Sequence, residues 1–309
     1  MKRMPVLASL FVLVLATARA EEPIARQSLM FEGMARSYVV RNPVNQAKET
    51  QRVPLVLVLH GGGGNAAYAE RMTGFTEKAR KEGFIVVYPE GTGLLQSMLL
   101  TWNAGHCCGY AMNQKVDDVG FIRALIDELV RTHPVDASRI YATGMSNGGM
   151  MTHRLGIELS DRFAAIAPVV ATVFGDEKKP AQPVSALMIN GMLDRNVPHA
   201  GGPPGGRGNR AWDGSPARPA LEQAEFWASA NGCNENRLED DGDRYTWWRY
   251  ACPSDLSVKL VLVKDNGHAW PGGQRGSSRG DEPSSSLNAT EVIWEFFKSR
   301  SKSIVRESS

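Results

Sequence analysis

The stretch RIYATGMSNGGM, from Arg139 to Met150, constrains this chain more than any other, because it spells a strand, a tight turn and a helix in succession. Arg139 to Thr143 is β-prone and largely apolar, and Asn147 to Leu159 reads as a helix despite its opening glycines. Between them, Gly144-x-Ser146-x-Gly148 suits a nucleophile elbow. The strained turn lifts the serine hydroxyl above the sheet, and the flanking glycines leave room where side chains would collide.

The rest of the chain alternates in the way such an elbow requires. A short strand is expected around Ser37 to Arg41, then a buried strand Pro54 to His60 (PLVLVLH) running into Gly61-Gly62-Gly63-Gly64-Asn65. A helix over Ala66 to Glu82 leads to a strand over Phe84 to Tyr88. The helix Asp117 to Thr132 has apolar residues at i, i+3, i+4 and i+7, with Asp117 as its N-cap. After the elbow come strands Ala164 to Val170 and Val184 to Asn190, a loop rich in glycine and proline, and a helix Pro219 to Ala230. A strand Val258 to Val263 and a helix Asn288 to Lys298 complete the series. This alternation implies an α/β fold, a mostly parallel sheet covered by helices on both faces, with ligands at the carboxyl ends of the strands.

At the amino terminus, Lys2 and Arg3 precede an uncharged, mostly apolar run, Pro5 to Ala16, which closes on Ala18-Arg19-Ala20. The run is too short to span a bilayer and ends on small residues, so residues 1–20 are read as a signal peptide and 21–309 as one catalytic domain, exported to the periplasm or the medium. Its removal takes three cations and no acid, changing 35 basic against 33 acidic residues to 32 against 33. A nearly neutral chain without a dense basic run is a poor partner for nucleic acid, and no membrane partner is expected once the signal is removed. Four cysteines in an exported chain invite pairing. Cys233 and Cys252 bracket a polar segment with little hydrophobic patterning of its own, which a disulfide would staple. The adjacent Cys107 and Cys108 fit either a vicinal bridge or buried thiols, and no metal-ligand spacing accompanies them, so neither metal nor cofactor is expected.

A serine nucleophile needs a base, and the chain has six histidines. His133 ends a helix, where a cation would offset the dipole. His153 lies two turns beyond the serine, pointing away from it, and His60 is placed to shape its glycine loop. His268, in DNGHAWPGG after the last strand, lies at the correct sheet edge and is last in the chain order Ser, Asp, His. The orienting carboxylate is expected on a loop between them. Asp194, directly after the strand Val184 to Asn190, fits best, with Asp176 after the preceding strand as competitor. Asp117 and Asp118 belong to a capped helix start. Oxyanion donors are expected from the backbone of Asn147 and of Gly62, with Gly63 as the alternative to Gly62. The Gly61 to Gly64 run lacks the Gly-Lys-Ser/Thr of a phosphate loop.

Taken together, LHGGGGN, TWNAGHCCG, VDDVGFI, GMSNGGMM, the turn Asp194-Arg195-Asn196-Val197-Pro198, Phe226-Trp227-Ala228 before Asn231-Gly232-Cys233, and GHAWPGG resemble the exported polyhydroxybutyrate depolymerases of the α/β-hydrolases. These are similar to feruloyl and acetylxylan esterases. The resemblance covers nearly all of the chain beyond residue 20. It implies a serine esterase of α/β-hydrolase fold with Ser146, Asp194 and His268 as triad, Gly62 and Asn147 as oxyanion donors, and Cys233 paired with Cys252. The expected partner is an ester substrate, either a polyester oligomer or a hydroxycinnamoyl or acetyl ester of a polysaccharide. Short-chain carboxylesters are the alternative, and a catalytically inactive exported binding protein is the reading from another class. His199 and Met192-Leu193 depart from the family pattern and bear on the acyl pocket. Trp102 and Trp270 adjoin strand-end motifs and are expected to form a flat substrate wall. The loop Ala200 to Arg218 is expected to lack regular structure and to border the substrate, with Trp212 as its apolar contact and Arg207 and Arg210 at its rim.

Overall fold

The computed structural model describes residues 25–43, 51–95, 97–278 and 280–302, apart from the side chains of 207–209. The expected signal peptide lies outside the described residues. Among them no helix is long and apolar enough to cross a membrane.

Among the described residues, ten strands form one sheet. They are β1 (Arg26–Phe31), β2 (Met34–Arg41), β3 (Val53–Leu59), β4 (Ile85–Pro89), β5 (Val135–Met145), β6 (Ala165–Val169), β7 (Ser185–Gly191), β8 (Arg237–Asp241), β9 (Tyr245–Tyr250) and β10 (Val258–Val263). Their order is β1-β2-β4-β3-β5-β6-β7-β10-β9-β8. The six central strands β4-β3-β5-β6-β7-β10 are parallel, and antiparallel pairs close both edges. The α-helices are α1 (Ala66–Thr73), α2 (Phe75–Glu82), α3 (Gly109–Asn113), α4 (Asp118–Thr132), α5 (Asn147–Glu158), α6 (Ala220–Ala230) and α7 (Ala289–Phe297).

The central strands are continuous apolar runs because both of their faces are covered. Alternation along β3 shows this: Leu55, Leu57 and Leu59 pack into a core with α4, α5 and α6. Val56 and Val58 face the opposite core, with α1, α2 and α7. All seven β3 residues are buried.

Departures from the sequence reading occur at four places. The helix expected over Ala66 to Glu82 is two helices, because Gly74 at φ 69° caps α1 in the left-handed region and starts α2 at a new angle. The strand β1 was not foreseen; it is an exposed edge joined to β2 through Glu32 and Gly33, both at positive φ, a two-residue hairpin turn. The segment between Cys233 and Cys252 is the hairpin β8–β9, stapled by the disulfide at its base. Its outer strand is RLEDD, polar because it is a solvent-facing edge, and such charge disguises a strand while protecting it from unwanted pairing. The glycine- and proline-rich loop also holds one regular piece, a 3-10 turn over Gly206–Ala211.

Candidate active site

The elbow sits between β5 and α5, at the carboxyl end of the sheet's middle. Ser146 has φ 57° and ψ −124°, a backbone conformation a non-glycine residue adopts only when its surroundings impose it. The surroundings here are tight. The Ser146 amide donates to Val169 O at 3.0 Å, and a Cβ on Gly144 would lie 2.6 Å from Gly148 O. One on Gly148 would strike the carbonyls of Leu59 and His60. The two glycines are therefore required by the crossing of α5 over β3 and β5.

Asp194 follows β7 and His268 follows β10, so strand order brings three loops from distant parts of the chain to one edge. Asp194 Oδ2 lies 2.8 Å from His268 Nδ1, and His268 Nε2 lies 2.9 Å from Ser146 Oγ. An ionised carboxylate only accepts, so Nδ1 carries the proton and Nε2 is left to accept from the serine hydroxyl. Asp194 is buried, and its other oxygen takes the amides of Asn196 and Val197 at 2.8 and 2.9 Å, which pins the carboxylate. Met192 and Leu193 are exposed beside it.

Two polar residues absent from the sequence reading hold the histidine loop. Asp281 Oδ2 accepts the His268 amide at 2.7 Å, and its carboxylate occupies the space a Cβ on Gly267 would need. The buried Asn266 donates to the carbonyls of Gly267 and Ala269 and accepts from the Ser284 amide. Asp281 lies 13 residues beyond its partner in a segment without periodicity, so no local pattern signals it.

Gly62 and Asn147 are adjacent: a Cβ on Gly62 would lie 3.6 Å from Asn147 Cβ. The Gly63 amide is engaged with Leu100 O at 2.8 Å, which leaves Gly62 as the better donor of the two considered. Asn147, as the first residue of α5, has an amide without an acceptor inside the helix. The Asn147 side chain is fixed by Trp102, accepting from its amide at 2.7 Å and donating to its carbonyl at 2.9 Å.

Trp102 and Trp270 do not form a substrate wall. They are 0% and 1% exposed. The Trp102 indole donates to His60 O and braces the start of the Gly61–Gly64 loop, whereas Trp270 donates to Thr290 Oγ1 and packs edge-on against Phe75. Large aromatic rings next to strand ends were more useful as buried braces than as open surface. The side chain of Arg207 lies outside the described residues; Arg210 is exposed, and Trp212 packs edge-on against Phe174 at 5.5 Å.

The other histidines separate by environment. His60 donates from Nδ1 to Gly61 O and accepts the Gly91 amide at Nε2, shaping its loop; burial lowers its pKa to about 4. His153 is likewise buried, at about 4, between Gln223 and the Trp227 indole. His133 was expected to be a helix-end cation, but burial lowers its pKa and so disfavours that charge. Asp117 caps α4 through the Gly120 amide, and the buried Asp118 pairs with Arg36 at 2.6 Å while accepting the Asn103 amide. Asp176, the competitor of Asp194, is bound to His106 at 2.9 Å and is not part of the Ser146 constellation. Cys107 and Cys108 are a vicinal disulfide. Among the described residues no group of three or more His, Cys, Asp or Glu side chains could hold a metal.

A cavity of about 570 Å³ runs along α5 away from the elbow, between the loop carrying Asn103 to His106 and the loop carrying Phe174 to Lys178. Ser146 does not line it, but Met150, whose amide donates to Ser146 O, does.

A family model described as Esterase PHB depolymerase matches residues 36–200, a span that includes the elbow and Asp194. The chain belongs to this family. Among its relatives, it is 31% identical over 267 residues to the protein named "Putative esterase NocK" of Nocardia uniformis subsp. tsuyamanensis, covering 82% of this chain and 76% of that protein. It is 32% identical over 231 residues to feruloyl esterase B of Piromyces equi, covering 72% of this chain and 41% of that protein. The acetyl xylan esterase from Aspergillus awamori superposes with a TM-score of 0.53 at 15% identity, covering 76% of this chain and 89% of that one. The Esterase PHB depolymerase family member described here thus has the α/β-hydrolase fold, and its family match spans the resemblance motifs from LHGGGGN to the turn after Asp194.

Proposed function

We propose that this protein is a serine carboxylic ester hydrolase of the polyhydroxybutyrate depolymerase and feruloyl esterase type, acting through an acyl-enzyme. The observation that carries the reading is the single imidazole of His268 in hydrogen-bond contact with both Ser146 and Asp194. Ser146 Oγ attacks the ester carbonyl while its proton passes to His268 Nε2, and Asp194 stabilises the imidazolium that forms. The oxyanion is held by the amides of Gly62 and Asn147, already oriented by the loop and the helix start. Collapse returns the proton to the leaving alkoxide. Water, deprotonated by the same imidazole, then releases the acid and regenerates the serine.

The substrate class follows from relatives: feruloyl and polyhydroxyalkanoate esters first, acetyl esters of xylan and short-chain carboxylesters second. In the same reading residues 1–20 are a signal peptide, 21–309 are one catalytic domain, and the enzyme works outside the cytoplasm, where the Cys233–Cys252 disulfide is stable. The test is hydrolysis of 4-nitrophenyl acetate, methyl ferulate and 3-hydroxybutyrate oligomers. Ser146→Ala and His268→Ala should each lower kcat by about 10⁴-fold or more with the fold intact by circular dichroism. Retained activity in Ser146→Ala would exclude Ser146 as nucleophile.

A further inference from the structure

Away from the triad, His106 joins three segments that are far apart in sequence. Its Nε2 lies 2.9 Å from Asp176 Oδ2, on the loop after β6, and its Nδ1 lies 2.7 Å from Asp213 Oδ2, within the glycine- and proline-rich loop. Backbone and ring contacts run alongside. The Asp213 amide donates to His106 O at 3.1 Å, Cys107 pairs with Trp212 in a β-bridge, and Phe174 packs against both His106 and Trp212. His106, Phe174 and Asp176 also line the 570 Å³ cavity.

Both ring nitrogens of His106 face carboxylates, and carboxylates only accept. The imidazole can satisfy both only as a cation, with two N–H donors. The neutral ring has one donor to share. The Ser215 hydroxyl, 3.0 Å from Nδ1, can donate to that nitrogen once it loses its proton, so the neutral ring keeps Asp176 and loses Asp213. The other charges nearby are already engaged: Arg154 with Glu158 and the Asn103 carbonyl, Arg218 with Glu222, and Glu177 with the amides of Phe174 and Gly175. Lys178 also lines the cavity.

We propose that His106 is a positioning residue whose protonated ring ties the Asp213 segment to the cavity wall, and that the cavity takes the bulky part of an ester only while this tie is made. The cavity is placed for that role. Asn103 follows Trp102, which holds the Asn147 side chain; Met150 is one turn from Ser146; and Thr172 lies just beyond Val169 and its bond to the Ser146 amide. Consistent with the geometry, partial burial opposes the charge on His106 but the bonds and charges of Asp176 and Asp213 outweigh it, raising its pKa above the ordinary imidazole value.

The proposal rests on Ser146 being the nucleophile, and the test separates the two. KM for 4-nitrophenyl ferulate and 4-nitrophenyl acetate is measured from pH 6 to pH 9, and their ratio is taken so that titration of the shared triad cancels. In the wild type the ratio should rise about three- to ten-fold as pH passes the His106 pKa, the loss of one charge-assisted hydrogen bond. Asp213→Asn should flatten the profile, because an amide can donate to the neutral ring as well as accept from the cation. By nuclear magnetic resonance, the His106 titration should move to lower pH in Asp213→Asn, which reports the lost carboxylate, while the flattened KM ratio is the change a merely structural role would not produce. A ratio independent of pH in the wild type, a ratio step that persists in Asp213→Asn, or acetate hydrolysis without any of the ferulate ester would each overturn the proposal. Acetate hydrolysis retained in Ser146→Ala would instead overturn the nucleophile on which it rests.

Discussion

At the scale of single residues, two aspartates 18 positions apart in the sequence have opposite fates. Asp194 is buried and holds His268, whereas Asp176 is exposed and holds His106. Asp194→Asn should therefore lower kcat on 4-nitrophenyl acetate by about a thousand-fold or more, and Asp176→Asn should cost far less; steady-state kinetics on the two variants gives the ranking. The contact of Ser146, His268 and Asp194 was legible from the residues because chain order and strand-end placement leave few choices. The braces around it were not. Asp281 and Asn266 act through bonds whose partners are set by loop paths, and Trp102 and Trp270 were misplaced because an aromatic beside a strand end looks the same in sequence whether it faces solvent or core.

The histidines also predict a pH dependence of stability. His60 and His153 have folded pKa values of about 4, below the ordinary 6.5, so the unfolded chain binds protons that the folded chain refuses. Their stabilisation is complete above about pH 6.5 and is lost as pH falls toward 4, by roughly 3 kcal/mol for each. His106 runs the other way: with its folded pKa raised, its contribution is full below about 6.5 and is lost as pH rises through the folded value. Urea unfolding of wild type and His153→Gln at pH 7 and pH 5 checks the acid arm. The gap between the two pH values should narrow in the variant, and an unchanged gap would show that His153 is not a source of the acid loss.

At the scale of elements, regular pieces with one clear period were readable, and pieces on the sheet's edges were not. The central strands announce themselves because burial on both faces demands a continuous apolar run, while β1 and β8 carry the polar residues of edges. The hairpin β8–β9 buries little except Thr246 and Tyr250, so its disulfide should matter to stability. Replacing Cys233 and Cys252 by serine removes about 3 kcal/mol in the chain-entropy model and should lower Tm by roughly 5 to 10 °C. Activity of the folded fraction should be unchanged, and calorimetry with activity assays on the same sample reads both. At the elbow the constraint is steric: Gly148→Ala should give little folded protein, because its Cβ would meet the Leu59 and His60 carbonyls.

At the scale of the whole molecule, a ten-stranded sheet brings the loops after β5, β7 and β10 to one edge, and the side chains of residues 146, 194 and 268 meet there in one hydrogen-bonded chain. That assembly carries the central claim, and covalent trapping tests it most directly. The wild-type protein is treated with a fluorophosphonate, digested and read by mass spectrometry. The adduct should lie on Ser146, should be absent from Ser146→Ala, and should form far more slowly in His268→Ala, because the hydroxyl then lacks its base. An adduct on another residue, or none at all in a protein that hydrolyses 4-nitrophenyl acetate, would contradict the account.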